Sequence, residues 1–334
     1  MSGLDYYRPT DTYVAISDNR GEEGPIRAYT LKVPLDRAGK PAQPHFQRLI
    51  RLRDTNGQLY APRTADTESI PWTPNHHGFV YTSEGEAKVG RAGFIRQSDL
   101  HGNVVRDFPI PKAYAPRLGT ANTPVSVIRD NLGFESMSLG QGGATIAALS
   151  ENALVQDGPS ASVDSSSPAR LLKIDRATGA NLGEFIYPVD RVAPGALPVA
   201  TGASEMLTVD HDTFLTLERS LIPDKGFTAK IYQTSTTGGD NVAGAASIPK
   251  TATPTTKELI FDFGPTSMSA SSIVARQLQE SPPWHGSPTI GAWQLPSAIE
   301  RCRVPTNLRM QEVSRKKPTS GASRQRRRED SHFR

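Results

Sequence analysis

Phe79-Val80-Tyr81-Thr82-Ser83-Glu84 reads as a short β-strand closed by an acid, and the pattern occurs three more times. The other copies are Tyr13-Val14-Ala15-Ile16-Ser17-Asp18, Ile146-Ala147-Ala148-Leu149-Ser150-Glu151 and Thr213-Phe214-Leu215-Thr216-Leu217-Glu218. The closing acids are spaced 66, 67 and 67 residues apart. β-Branched and aromatic residues fit a pleated, half-buried surface, which is why such runs favour strands. A repeat at fixed period has to be read first, because missing it misreads the whole fold.

Other segments recur in phase with these runs. Upstream of each lies a short apolar stretch carrying a second acid: Asp5, Glu68, Glu135 and Glu205, at 13, 16, 16 and 13 residues before the closing acid. Downstream come third strands at 26–33, 92–97, 169–174 and 227–233. Fourth strands follow at 46–52, 104–110, 184–189 and 258–263. Turn sequences at 36–39, 99–102 and 175–179 separate third from fourth strands. Four strands per unit at even spacing predict an all-β, β-propeller-like fold of about four four-stranded blades. A β-sandwich with accidental spacing is the competing reading, and the in-phase elements disfavour it. The stretch 157–168, rich in Ser, Gly and Pro, is expected to be a mobile surface loop.

The chain has 334 residues, 22% of them charged, with mean hydropathy −0.45. No run approaches the ~18 apolar residues of a membrane helix, and no signal peptide opens the sequence. A single cysteine, Cys302, excludes an internal disulfide and a cysteine-based metal site. The formal charge of +4 is unevenly spread. Residues 264–334 hold 12 basic and 5 acidic side chains, and residues 1–263 hold 26 and 29. Two regions follow: a repeat domain over 1–263, and a low-complexity basic tail over 264–334 whose composition predicts disorder. The Arg cluster at 324–328 alone does not predict nucleic-acid binding. A shifted reading frame also fits so abrupt a change; another frame of the coding DNA would then restore a fifth acidic repeat.

Carboxylates at equivalent points of successive blades converge toward the axis, where repulsion and burial oppose their charge. Cations relieve that cost, and an oxygen-only donor set favours Ca²⁺ or, alternatively, Mg²⁺. Such an ion polarises ester or phosphoryl oxygens. The structural alternative is that each acid pins neighbouring blades by accepting backbone N–H bonds. Arg219, next to Glu218, could bind phosphate bidentately or pair with a neighbouring acid. Adjacent strand residues face opposite ways, so Glu218 and Arg219 need not share a site. The Leu139-Gly140-Gln141-Gly142-Gly143 stretch lies between strands and reads as a turn. His76 and His77 read as solvated loop residues. No nucleophile elbow, P-loop or zinc spacing occurs.

Taken together, LDYYRPTDTYVAISDNRGEEGPIRAYTL, DTESIPWTPNHHGFVYTSEGE, DNLGFESMSLGQGGATIAALSENALVQDG, SPARLLKIDRATG, GEFIYPVD and ATGASEMLTVDHDTFLTLERSL resemble the phytase-like family, proteins with "esterase-like activity of phytase". The resemblance covers roughly residues 3–263 and implies a propeller, hydrolysis of small-molecule ester or phosphoester bonds, and an exported, periplasmic or organellar setting. Carried over, its motif acids are Asp18, Glu68, Glu84, Glu135, Glu151, Glu205 and Glu218, followed by Arg219. The expected division puts Glu135, Glu151, Glu218 and Arg219 in catalysis and Asp18, Glu68, Glu84 and Glu205 on the cation. Relative to the family pattern the chain is expected to be truncated at both ends, an incomplete ring. The competing functions are a non-catalytic binding scaffold and an inactive fragment. Neither a membrane nor nucleic acid is an expected partner, and the oligomeric state is left open.

Overall fold

The computed structural model describes residues 2–266, except 121–123, 130 and 224. The expected basic tail therefore lies outside the described residues from 267 onward, Cys302 included. Within them there is no α-helix. Four small antiparallel sheets succeed one another as the blades of a β-propeller.

The first blade is β1 (Leu4–Tyr7), β2 (Thr12–Ile16), β3 (Arg27–Lys32) and β4 (His45–Arg51), paired in sequence order. The second holds β5 (Gly78–Ser83), β6 (Phe94–Asp99) and β7 (Val104–Phe108), and a small ribbon of β8 (Arg117–Leu118) and β9 (Pro124–Ser126) follows it. The third is β10 (Phe134–Leu139), β11 (Thr145–Ser150), β12 (Ser167–Asp175) and β13 (Asn181–Val189). The fourth is β14 (Thr201–Thr208), β15 (Thr213–Ile222), β16 (Gly226–Ser235) and β17 (Thr256–Thr266). The last strand thus runs three residues past the expected boundary at 263.

The second blade departs from the expected four strands. The segment around Glu68 meets β5 through isolated bridges, Thr67 to Ser83 and Trp72 to Phe79. Pro71 and Pro74 cannot donate to a ladder. The segment still occupies the inner position, with Thr82 N donating to Ser69 O at 3.1 Å and Val80 N to Pro71 O at 2.9 Å.

The second strands are apolar on both faces because both faces are covered. Val14 and Ile16 join Ile50, Leu52, Trp72, Phe79 and Tyr81 in the seam between first and second blades. Tyr13 and Ala15, on the opposite face, pack with Leu4, Leu31 and Val33. Val80, Ile95, Phe134, Met137 and Ile146 fill the second seam. Leu149, Leu171, Tyr187, Met206 and Phe214 fill the third.

The 157–168 stretch is not the free surface loop its composition suggests. Asp157 is fully buried against Arg170, whose Nε and Nη2 reach its carboxylate at 2.6 and 2.9 Å, while Nη1 reaches Glu184 at 2.8 Å. Ala161 N donates to Asn152 Oδ1 at 2.8 Å. Two buried acids and their guanidinium need one another. Ile248 N also donates to Asp157 at 2.8 Å, which draws the long β16–β17 connection onto the third blade.

Candidate functional site

The inner strand β10 lies against the inner strand β14 of the fourth blade and against β5 of the second. Residues that leave the inner strands toward the axis are therefore brought together. β-Bulges decide which residues those are. In β10, Phe134 pairs with Ser150 and Ser136 with Leu149, so Glu135 is the extra residue. In β14, Ala203 pairs with Glu218 and Glu205 with Leu217, so Ser204 takes the same place. Glu68 N donates to Thr82 O at 3.4 Å and Ser2 N to Ile16 O at 3.1 Å, which puts Glu68 and Ser2 in that place on the first two blades.

The second strand supplies one further residue per blade: Asp18, Glu84, Glu151 and, by the register of β15, Arg219. The pairs are then Ser2/Asp18, Glu68/Glu84, Glu135/Glu151 and Ser204/Arg219, at intervals of 16, 16, 16 and 15 residues. This order is tighter than the 13- and 16-residue intervals obtained by following acids alone. Asp5 and Glu205 are the two acids that sequence spacing assigns differently. Asp5 Oδ2 accepts Trp72 N at 2.8 Å, three residues along from the Ser2 position. Glu205 is one residue past its bulge and accepts Met206 N at 2.9 Å. A one-residue offset turns a strand side chain to the other face.

The centre so formed is acidic. Ligand oxygens of Glu68, Glu84 and Glu135 lie within 4.8 Å of one another, as do those of Asp18, Asp66 and Glu68. Asp66 is absent from the sequence-derived set, and no periodicity marks it. Ser2 Oγ donates to Glu68 Oε2, and Glu84 Oε1 accepts Gly133 N from the third blade at 2.6 Å. Two guanidiniums offset part of the charge. Arg20 Nη2 is 2.6 Å from Asp66. Arg219 Nη2 is 3.1 Å from Glu135 and 3.8 Å from Glu151. Glu68 and Glu84 have no cationic partner among the described residues.

Burial raises these carboxyls first, and mutual repulsion adds to it. Glu68 and Glu84 stand well above the ordinary carboxylate range, with Glu135 next in influence on both. Glu135 and Asp66 are raised as well, less so because Arg219 and Arg20 oppose burial. Glu151 is pushed up to about 8. For Arg219 burial works against the charge, yet Glu135, Glu151, Glu68 and Glu84 together raise its pKa. Three polar atoms here are buried without a hydrogen-bond partner: Glu151 Oε1, Arg219 Nε and Ser204 Oγ.

Glu218 is not part of this centre. It sits in the third seam, accepting Tyr187 Oη at 2.7 Å, Asp190 N at 3.0 Å and Lys257 Nζ at 2.5 Å. The reason is strand continuity: β15 runs straight through Glu218, so pleating sends Arg219 to the opposite face. His76 is not a solvated loop residue either. Its ring stacks on Tyr7 at 4.2 Å and leans on Trp72 at 3.9 Å.

The family model for phytase-like proteins, described as esterase-like activity of phytase, matches residues 1–277. A comparison with curated proteins gives no match. Among solved structures, a putative 6-phosphogluconolactonase from Bacteroides uniformis shares 9% identity over 76% of this chain and 87% of its own, with a TM-score of 0.29. A chain of a mitotic checkpoint complex shares 9% over 78% and 76%, at 0.26. Dipeptidyl peptidase 4 of Porphyromonas gingivalis shares 10% over 74% and 39%, at 0.24. Nothing about activity follows from likenesses at this level.

Proposed function

The chain belongs to the phytase-like family, and from that premise we propose that its acidic centre is a cation-assisted hydrolytic site for small ester or phosphoester substrates. The observation that carries the reading is the approach of Glu68, Glu84 and Glu135 within 4.8 Å, on consecutive blades, with only Glu135 neutralised by an arginine. Buried carboxyls so placed either hold protons or hold a cation. All their donors are hard oxygens, which suits Ca²⁺ or Mg²⁺. Glu68, Glu84 and Glu135 would hold the ion, and Glu68 also belongs to the group with Asp18 and Asp66. When bound, the ion supplies Lewis-acid polarisation of a phosphoryl or carbonyl oxygen.

The chain's own residues divide the remaining work. Arg219 fixes Glu135 and presents a fixed positive charge toward the centre. Glu151, raised to about 8, keeps a proton near neutrality and suits a general acid. Glu218 serves the seam and has no part in the reaction.

The test is turnover of p-nitrophenyl phosphate and p-nitrophenyl acetate before and after chelation, with Ca²⁺ then restored. Activity lost on chelation, regained with Ca²⁺ and absent from E84Q is the expected result. No turnover of either compound under any condition, with a well-folded chain, would leave a ligand-binding scaffold.

A further inference from the structure

Neighbouring blades close one another's outer edges by a recurring contact. Each time, the connection between the last two strands of one blade reaches the outermost strand of the blade before it. In the second blade this is the turn at 100–103, where Gly102 O accepts Arg53 N, just past β4, at 2.9 Å. Gly102 has φ +86°, and a Cβ there would lie 2.0 Å from Arg51 O, so the turn sits directly against the strand. In the third blade the turn at 176–180 takes Arg106 of β7, whose Nη1 donates to Arg176 O at 2.9 Å and to Ala177 O at 2.7 Å. In the fourth the long connection at 236–255 lies along β13, with Val242 N donating to Glu184 O and Thr255 N to Ile186 O, both at 2.8 Å. An open strand edge invites pairing with another chain, and a covering turn blunts it.

Two members of the series are left over. The first blade has the same connection, 33–44, but its hydrogen bonds stay within it: Gly39 N to Asp36 O at 2.9 Å, Ala42 N to Pro34 O at 2.8 Å and Lys40 N to Asp36 Oδ1 at 2.8 Å. At the other end β17, 11 residues long, pairs with β16 on one side, and among the described residues no connection reaches its far edge. Between described residues no hydrogen bond or ion pair joins the first blade to the fourth. The two orphans carry complementary surfaces. The connection presents exposed Arg37 and Lys40, with Leu35 at 55% exposure. The strand presents exposed Glu258 and Asp262, with Leu259 and Ile260 each at 50%. None of these four charges has an ion pair among the described residues.

We propose that the 33–44 connection of one copy of this chain docks on the outer edge of β17 of a second copy, head to tail. The contact is the one the chain already makes three times between its own blades. Arg37 and Lys40 face Glu258 and Asp262, and Leu35 covers Leu259 and Ile260. A turn and an edge on one molecule, each lacking the other, are what a contact between unlike surfaces of identical copies requires. Two copies joined at both ends form a closed pair of eight blades, within the range of propellers.

The experiment uses the full chain and two charge-reversed variants, R37E/K40E and E258K/D262K. Mass is read by light scattering on a sizing column over a wide range of concentration, with circular dichroism to confirm that each variant is folded. The unaltered chain should reach twice its own mass as concentration rises. Each variant alone should associate roughly tenfold more weakly or worse, because like charges then face each other. An equimolar mixture of the two variants should regain the pair, since each reversed turn meets a reversed edge and each native turn a native edge. A chain that stays single at every concentration overturns the contact. So does association that either variant leaves unchanged, which would place it on another surface. Variants that dissociate alone and stay apart when mixed overturn the pairing of turn with edge.

Discussion

Arg219 of the fourth blade holds Glu135 of the third at 3.1 Å, a charge-assisted bond that crosses a blade boundary inside a field of carboxyls. The contact ties two pieces of chain 84 residues apart. It leaves Glu68 and Glu84 without an ion pair among the described residues, and that imbalance sets what the protein should do in solution.

Cation addition should stabilise the fold. A ligand that binds only the native state adds about 2.7 kcal/mol at a hundred times its dissociation constant. Melting measured in chelator and then in excess Ca²⁺ should shift upward by several degrees, and E68Q or E84Q should shrink the shift. An identical melting temperature in both buffers would remove the cation from the account.

Without cations, stability should fall as pH rises. Glu68, Glu84, Glu135, Glu151 and Asp66 all bind protons more tightly folded than unfolded. The stability they give is full below the ordinary glutamate value of 4.5 and is lost as pH climbs through about 8 for Glu151. Chelated protein should therefore melt higher at about pH 5 than at about pH 9, and E151Q should flatten the slope. A melting temperature that rises across this range contradicts the buried cluster.

Arg170 should be intolerant of change. It is fully buried and serves Asp157 and Glu184 at once. Removing it strands two buried carboxylates, a loss of about 3–5 kcal/mol. Urea unfolding of R170M should show a loss in that range, whereas an exposed arginine such as Arg48 should be nearly neutral.

Gly202 should matter to the centre although it carries no chemistry. It pairs with Arg219 across β14 and β15. A Cβ added there would lie 2.7 Å from Glu151 O and 2.8 Å from Asn152 Nδ2. G202A should cost about 1–3 kcal/mol through overpacking, and it should displace Glu151. Loss of activity larger than the loss of folded protein, read by circular dichroism, is the expected signature.

Much of the architecture was readable from the residues because strands announce themselves. The runs ending at Glu84, Glu151 and Glu218 are apolar on both faces, as doubly covered strands must be. The phase of the repeats marked Glu68, Glu84 and Glu135 as acids directed toward one centre, but the expected division put Glu135 in catalysis and the other two, with Asp18 and Glu205, on the cation. What could not be read was the bulge. A bulge adds one residue without any compositional mark, so acids drew attention to Asp5 and Glu205 while the axial places belong to Ser2 and Ser204. Asp66 was invisible for a different reason: it precedes the inner segment of a blade whose first strand prolines reduce to bridges. The anchoring of 157–168 through Asp157 and Ala161 escaped because polar composition says nothing about an arginine arriving from β12.

The alternation along β15 also has an evolutionary side. Insertion of one residue ahead of β15, with the hairpin at 209–212 keeping its length, would slide Glu218 into the axial place and carry Arg219 out to the other face. A blade that contributes a cation would become one that contributes an acid, with no substitution at all. Relatives could therefore drift in ionic preference by slippage of a single strand, a change that residue-by-residue comparison of their sequences would miss.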